Sequence, residues 1–479
     1  MPETEGPNRT YRFGPLERRG MVAGLTTGQV ASVGVGLVGA VLVLRLAPSG
    51  PGTVAAATLL VAGVAGALVS VGGRGVDEWV PVVIRWAALR GTARRRWVTD
   101  AASLGIYPVR RESSGGEQVR PPRLMSGCRL GEVFDPSTQR AIGVVDDRSS
   151  GTATAVLSVR GGGFALLDRT EKDQRVGGWA AVLAGLARDG SPVHRIQWIE
   201  RVLPPSEEVV LELPRADGAG ASSYAELVRR EGSDAPVHEV LVGLTVRRPR
   251  HRRSRQCRDA TEPVGLEREL LTLESNLRGA GIAVDGPLGP TALGAAMAVG
   301  FGRSRHQYRS PWPSATEASW GWLRTDAWWH VTYWVAEWPR ADVGPDFLTP
   351  LLLLGSGVRT VAAILEPVPP RRATREVEAA RTAGVADDEL RRRGGFLATA
   401  RRQRQQSGIA DREVELADGH ADYRFSGYVT VSAPGIEQLE SCCSEVEHAA
   451  GQARLQLRRL YGQQDAAFAY TLPMGRGLG

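Results

Sequence analysis

Lysine is nearly absent. Of the 59 lysine and arginine residues in this 479-residue chain, Lys172 alone is lysine, a bias expected of GC-rich codon usage. A Walker A loop needs a lysine directly after its glycines to reach the terminal phosphates. Lys172 stands in Arg-Thr-Glu-Lys-Asp-Gln, with no such glycines, so the chain is not a P-loop ATPase. Cysteine is also scarce. Cys128 and Cys257 are isolated and Cys442 and Cys443 are adjacent, which excludes CxxC zinc or redox spacing and a disulfide scaffold, and fits a reducing compartment. The seven histidines are scattered without HExxH spacing. Gly355-Ser356-Gly357 lacks the outer glycines of a nucleophile elbow. The pairs Asp146-Asp147 and Asp387-Asp388 read as solvated carboxylates, and the tail from Met474 to Gly479 as a glycine-rich end. We expect no catalytic, cofactor or metal site and no enzyme; a membrane-bound enzyme with a dispersed active site is the alternative from a different class.

What is present begins with two apolar runs. Gly28–Ala47 carries one charge, Arg45, and Thr53–Gly72 carries none. Each has the roughly 20 residues an α-helix needs to cross a bilayer, and Pro48 to Gly52 between them reads as a tight turn. Two buried helices of a soluble protein are the competing reading; apolarity on all faces speaks against it. Charges throughout the first 20 residues argue against a cleaved signal peptide. Arginines flank the pair, with Arg18 and Arg19 before it and Arg74, Arg94, Arg95 and Arg96 after it. The positive-inside rule then puts both ends in the cytoplasm of a two-span membrane protein. Gly34, Gly36, Gly39, Gly63 and Gly66 would let the spans pack closely or meet a partner helix. Val76 to Arg90, with Trp79 and Trp86 among arginines, reads either as an interfacial helix on an anionic leaflet with Pro81 in its first turn, or as an ordinary amphipathic connector.

With 42% hydrophobic and 23% charged residues and a net charge of +7, the rest of the chain is expected to fold as α+β. Three blocks are expected: residues 1–98, the membrane hairpin with its interfacial helix; 99–260, a first cytoplasmic α+β domain; and 261–479, a second one with a charged helical insertion. Strands are expected at Thr152–Arg160, Phe164–Asp168, His194–Leu203, Val237–Val246, Ile282–Asp285, Trp328–Trp338, Tyr423–Ser432 and Leu455–Tyr461. Helices are expected at Gln174–Asp189, Glu262–Gly279 and Ile436–Ala453. This recurrence of strand, helix and strand suggests split βαβ, ferredoxin-like units without a strict sequence period. Arg371–Gln406 reads as a solvated helical hairpin. Arg247–Arg258, the densest charge run, reads as a solvated loop, with nucleic acid or anionic lipid as alternative contacts. Seven of the twelve tryptophans fall within 27 residues. Trp320, Trp322, Trp328, Trp329, Trp334 and Trp338 are either a core strand with its surroundings or a candidate partner surface.

Two further segments carry a resemblance. Tyr11-Arg12-Phe13-Gly14-Pro15-Leu16-Glu17-Arg18-Arg19-Gly20 with the double span resembles actinobacterial PrgI-like membrane proteins, which are similar to the small inner-membrane subunit of VirB-type type IV secretion and conjugation machines. Tyr423–Ala433 and Tyr461–Pro473 resemble the end of the N-terminal, non-ATPase domain of the VirB-type secretion ATPase. In those ATPases a RecA-like motor follows that domain, and none is expected in this chain. The resemblance implies a membrane-anchored structural subunit that recruits a separate secretion ATPase and other channel subunits. A type VII secretion membrane subunit (EccE-like), also with two spans and a cytoplasmic body, is the runner-up.

Overall fold

The computed structural model describes residues 27–92, 95–99, 121–135, 139–160, 163–204, 236–248, 265–303, 310–353, 357–393 and 400–477. Two helices come first, α1 (Thr27–Leu46) and α2 (Gly50–Leu68). Both are long and apolar enough to cross a bilayer, and the rest of the protein covers little of them. The second span starts earlier and stops sooner than the apolar run suggested. Ser49 caps it by accepting from Gly52 N, and Pro51 fits its first turn, where its missing N–H costs nothing. The helices touch at two glycines: a Cβ on Gly36 would lie 2.9 Å from Leu59 O, and one on Gly63 would lie 2.9 Å from Ser32 O. Gly34 and Gly66 face open space.

A two-residue hairpin follows, β1 (Ser70–Val71) and β2 (Arg74–Gly75), and then helix α3 (Val76–Gly91). Gly72 and Gly73 both take positive φ, +58° and +74°, as the tightest hairpin turn demands. Pro81 lies inside α3, beyond the first turn. Strand β3 (Arg96–Val98) leads into the body.

The body is α+β, and its thirteen described strands form one antiparallel sheet. Before Leu288 it contains β4 (Cys128–Asp135), β5 (Arg140–Asp147), β6 (Thr152–Arg160), helix α4 (Arg169–Leu186), β7 (Val193–Leu203), β8 (Val237–Arg247), helix α5 (Leu266–Gly279) and β9 (Ala283–Pro287). Helix α6 (Pro290–Gly300) follows. The later elements are β10 (Ala315–Ala318), β11 (Leu323–Thr325), β12 (Trp328–Glu337), helix α7 (Thr349–Leu352) and β13 (Val358–Val368). The long helices α8 (Pro370–Arg393) and α9 (Ala400–Ala417) precede β14 (Asp422–Ala433), helix α10 (Ile436–Gln452), β15 (Gln456–Arg459) and helix α11 (Gln464–Phe468).

Strand pairing repeats itself. In the first unit the order is β9-β6-β8-β7, and in the second β15-β12-β14-β13. In each unit a helix joins the first strand to the second and another joins the third to the fourth. Each unit is also preceded by a hairpin that pairs with the start of its first strand, β4-β5 on β6 and β10-β11 on β12. The units meet edge to edge through their second strands, β7 and β13.

Side chains alternate between the sheet's two faces. Helices α4 and α5 cover one face of the first unit over Ala153, Ala155, Leu157, Val242 and Leu244. Helix α10 covers the same face of the second unit over Val331, Val429 and Val431. Leu266, Leu270, Leu273 and Leu277 of α5, one stripe at helical spacing, are each at most 1% exposed, worth about 2 kcal/mol apiece in burial. The opposite face is closed by α6, by α11 and by the segment after it, with Phe468, Leu472 and Met474 packed against Val156 and Leu241.

Phe164–Asp168, expected as a strand, is instead a short 3-10 turn ending at the α4 cap. Asp168 accepts from Glu171 N at 2.8 Å, a D-x-x-E start that outweighs the apolar Phe-Ala-Leu-Leu run. The tail reads differently as well: it is a strap rather than a loose end. Gln197 Nε2 donates to Tyr470 O and Leu472 O, Thr154 donates to Met474 O, and Gly475 N donates to Gln197 Oε1.

Candidate membrane junction and tryptophan cluster

Helix α3 has two working faces. Toward the body, Val82 is buried and Trp79 stacks on Trp320 at 6.0 Å, while Trp86 meets Trp320 edge-on at 5.6 Å. Arg85 bonds Asp465 at 2.6 Å. Away from the body, Val80, Val83 and Ile84 are exposed at 50%, 48% and 63%. At 100° per residue these three, with exposed Ala87, share one side of the helix. The helix also packs against both α1 and α2, so its outer apolar stripe continues the surface of the two apolar helices.

The flanking arginines have different positions. Arg74 is buried, with its guanidinium 5.4 Å from the Trp79 ring. Arg95 donates to Ala318 O and lies 5.1 Å from the Trp86 ring. Arg96 is exposed beside Glu317 at 3.0 Å, on the strand that pairs with β10. Arg18, Arg19 and Arg94 lie outside the described residues, as does most of the Arg247–Arg258 run. Within that run, Arg248 meets Asp146 at 3.1 Å.

The six tryptophans are half-buried and do not share one surface. Trp329 and Trp338 pack toward the α10 side of β12, together with Trp322, whose ring lies 4.4 Å from that of Trp329. Trp334 points to the other face, where its Nε1 donates to Ser426 at 2.9 Å. Trp328 closes over Gly302, whose added Cβ would meet the ring at 2.2 Å. Only Trp320 joins the junction with α3. Trp79 and Trp86 of α3 turn inward to meet it.

Among the described residues no group of three or more His, Cys, Asp or Glu is placed to hold a metal ion. Cys128, Cys442 and Cys443 are buried thiols, and burial pushes Cys128 up to about 12. His330 is fully buried, between Thr325 Oγ1 at 2.7 Å and Ser432 Oγ at 2.8 Å. Desolvation drops its pKa to about 3, so the imidazole stays neutral as a core hydrogen-bonding bridge. Asp147 is pushed up by burial, but hydrogen bonds from Arg476 and Ser149 prevail and hold it below the usual carboxylate range.

No family model matches the chain, and no curated protein matches it in sequence.

Proposed function

We propose that the chain is a membrane-anchored structural subunit of a type IV secretion or conjugation-like machine, and that its body docks a separate ATPase. One observation carries the anchoring: α1 and α2 leave apolar surface uncovered, with Val35, Val38, Leu46 and Leu68 between 68% and 77% exposed, and α3 clamps that hairpin to the sheet. Lipid is the medium that suits such surface. The arginine flanks favour a hairpin with both ends in the cytoplasm. The repeated strand order supports reading each unit as a split βαβ, ferredoxin-like module. The docking role rests on the resemblance of Tyr423–Ala433, which falls in β14, and of Tyr461–Pro473, which covers α11 and the start of the strap.

The test is a mild-detergent pull-down of the tagged chain from its native host, with mass spectrometry of the bound proteins. A VirB-type ATPase and channel subunits are expected. Type VII subunits in their place would move the protein to the EccE-like reading, and recovery of the chain alone would overturn the assembly role.

A further inference from the structure

The side of α3 that faces away from the sheet is apolar for most of its length. Val80, Val83, Ile84, Ala87 and Gly91 recur at helical spacing, and all five are exposed. Glu78 and Arg85 fall on the opposite half of the helix, where Arg85 bonds Asp465 at 2.6 Å. Asp77, at the edge of the stripe, is turned toward α1: a Cβ added to Gly28 would collide with its carboxylate. Arg90 stands in the last turn.

The contact between Asp77 and Gly28 also places the helix. Gly28 lies in the first turn of α1, and Gln29 beside it donates through Nε2 to Ala67 O, near the end of α2, at 2.8 Å. Helix α3 therefore starts at the open end of the hairpin, where α1 begins and α2 finishes, and away from the turn between them. When α1 and α2 cross a bilayer, that end lies at one of its surfaces. With 16 residues, among them Asp77, Glu78, Arg85 and Arg90, α3 is too short and too charged to be a third span. A polar half bound to protein and an apolar half left exposed suit a helix lying in the plane of the headgroups.

We propose that the outer stripe of α3 is a lipid-binding surface, seated among the headgroups and upper acyl chains of the leaflet that receives the hairpin's open end. Continuity with α1 and α2 selects lipid over a protein partner, because the bilayer around those two helices already reaches the stripe that adjoins them. Trp320 and Asp465 grip the other half of α3. A seated α3 thus draws the β10–β11 loop and α11 of the second unit to the membrane and holds the body in a set orientation. The proposal rests on the anchoring by α1 and α2 and is independent of ATPase docking.

The test uses the full chain in phosphatidylcholine–phosphatidylglycerol nanodiscs that contain a phospholipid with an aryl diazirine on one acyl chain. After irradiation, adducts are located by mass spectrometry. They are expected on α1 and α2 and also on Val80, Val83, Ile84 or Ala87. The α3 yield should be about tenfold or more above that on Phe134, which is 55% exposed on β4, at the end of the sheet opposite β3. Val80→Asn combined with Ile84→Asn is expected to cut the yield on Val83 and Ala87 about fivefold, with the α1 and α2 yields unchanged. Glu78→Gln, on the opposite half, should leave all of them unchanged. Labelled α1 and α2 beside an α3 no more labelled than Phe134 would overturn the inference, whether water or another protein covers the stripe. An undiminished α3 yield in the double variant would overturn it too. Unlabelled α1 and α2 would overturn the anchoring on which it rests.

Discussion

Where the first unit joins its first and second strands through the 18-residue α4, the second does so through the four-residue α7. Between its second and third strands the second unit inserts the α8–α9 helical hairpin. Yet the sheet beneath these connections is the same, down to a cross-strand pair of threonines. Thr154 and Thr245 meet at 2.9 Å between the first and third strands of one unit, and Thr332 and Thr430 meet at 2.8 Å between the same two strands of the other. Both pairs are buried and both touch the strap, Thr154 through Met474 O and Thr430 through Thr471 Oγ1. A buried polar pair is tolerated only when satisfied, so the same solution at the same place in both units marks one design used twice. Connections at the sheet's ends carry no such constraint. The second unit uses that freedom: its β10–β11 loop holds Trp320 against α3, and its last residues cross to cover its neighbour.

The sharpest way to break this comparison is at the crossing. A Cβ at Gly475, where φ is +63°, would meet Thr245 Oγ1 at 1.9 Å. Gly475→Val is expected to expel the strap and cost about 3 kcal/mol or more, read by urea denaturation, with loss of hydrogen-exchange protection in β6 and β8 of the first unit. Trp320→Ala should cost about 3 kcal/mol and release α3, making a cysteine placed at Val82 reactive while the β14 amides stay protected.

Acid should weaken both units, each through a histidine whose protonation burial opposes. His330 lies two residues before Thr332, and the first unit has Thr152 at the matching place. The folded pKa of His330 is depressed, so its contribution is whole above about pH 6.5 and drains away as pH falls toward about 3. In the first unit, burial beside Arg195 and Arg247 lowers His194 to about 4, so its contribution drains over the same range, while Asp147, also depressed, loses its contribution only once pH falls below about 3.8. Denaturation between pH 7 and pH 4 should show a loss of a few kcal/mol, of which His330→Gln removes the His330 share and leaves that of His194. A slope unchanged in that variant would remove His330 as a source.

Smaller effects test the likeness itself. Thr245→Val and Thr332→Val each leave one buried hydroxyl short of its partner and should each cost about 1–2 kcal/mol, with closely similar values. A difference of several kcal/mol would mean that the two pairs do not play the same part. Arg381→Ala removes an exposed link to Glu413 across the α8–α9 hairpin, which the first unit's described residues do not contain. It should change stability by about 0.5 kcal/mol or less.

Much of the sheet was legible from alternation alone. Thr152–Arg160 coincides with β6, and the expected strands at Trp328–Trp338 and Tyr423–Ser432 match β12 and β14 to within a residue or so, because buried β-branched and aromatic runs leave few alternatives. The apolar hairpin was equally plain, since its length and composition carry the signal. The β4–β5 hairpin went unread: it borders the sheet, and only one of its strands has a continuous buried stretch. The strap was hidden for another reason. Gln197 accepts from Gly475 N across 278 positions, and no local pattern announces a partner so far away. At the junction, tryptophan among arginines drew attention to α3, but which of its faces meets protein was settled by Trp320, more than 230 positions on.

The strap also sets an order of events during synthesis. Every strand of the first unit has been made once Pro287 is added, yet its lower face lacks Leu472, Met474 and Gly475 for nearly another 190 residues. At about 5–20 residues per second, that is on the order of ten to forty seconds with Val156, Leu241 and Gln197 unsealed. The α1–α2 hairpin, made before the sheet, is already complete through that interval. A half-finished sheet is a natural client for chaperones, and a chain cut short before Phe468 should fail in both units.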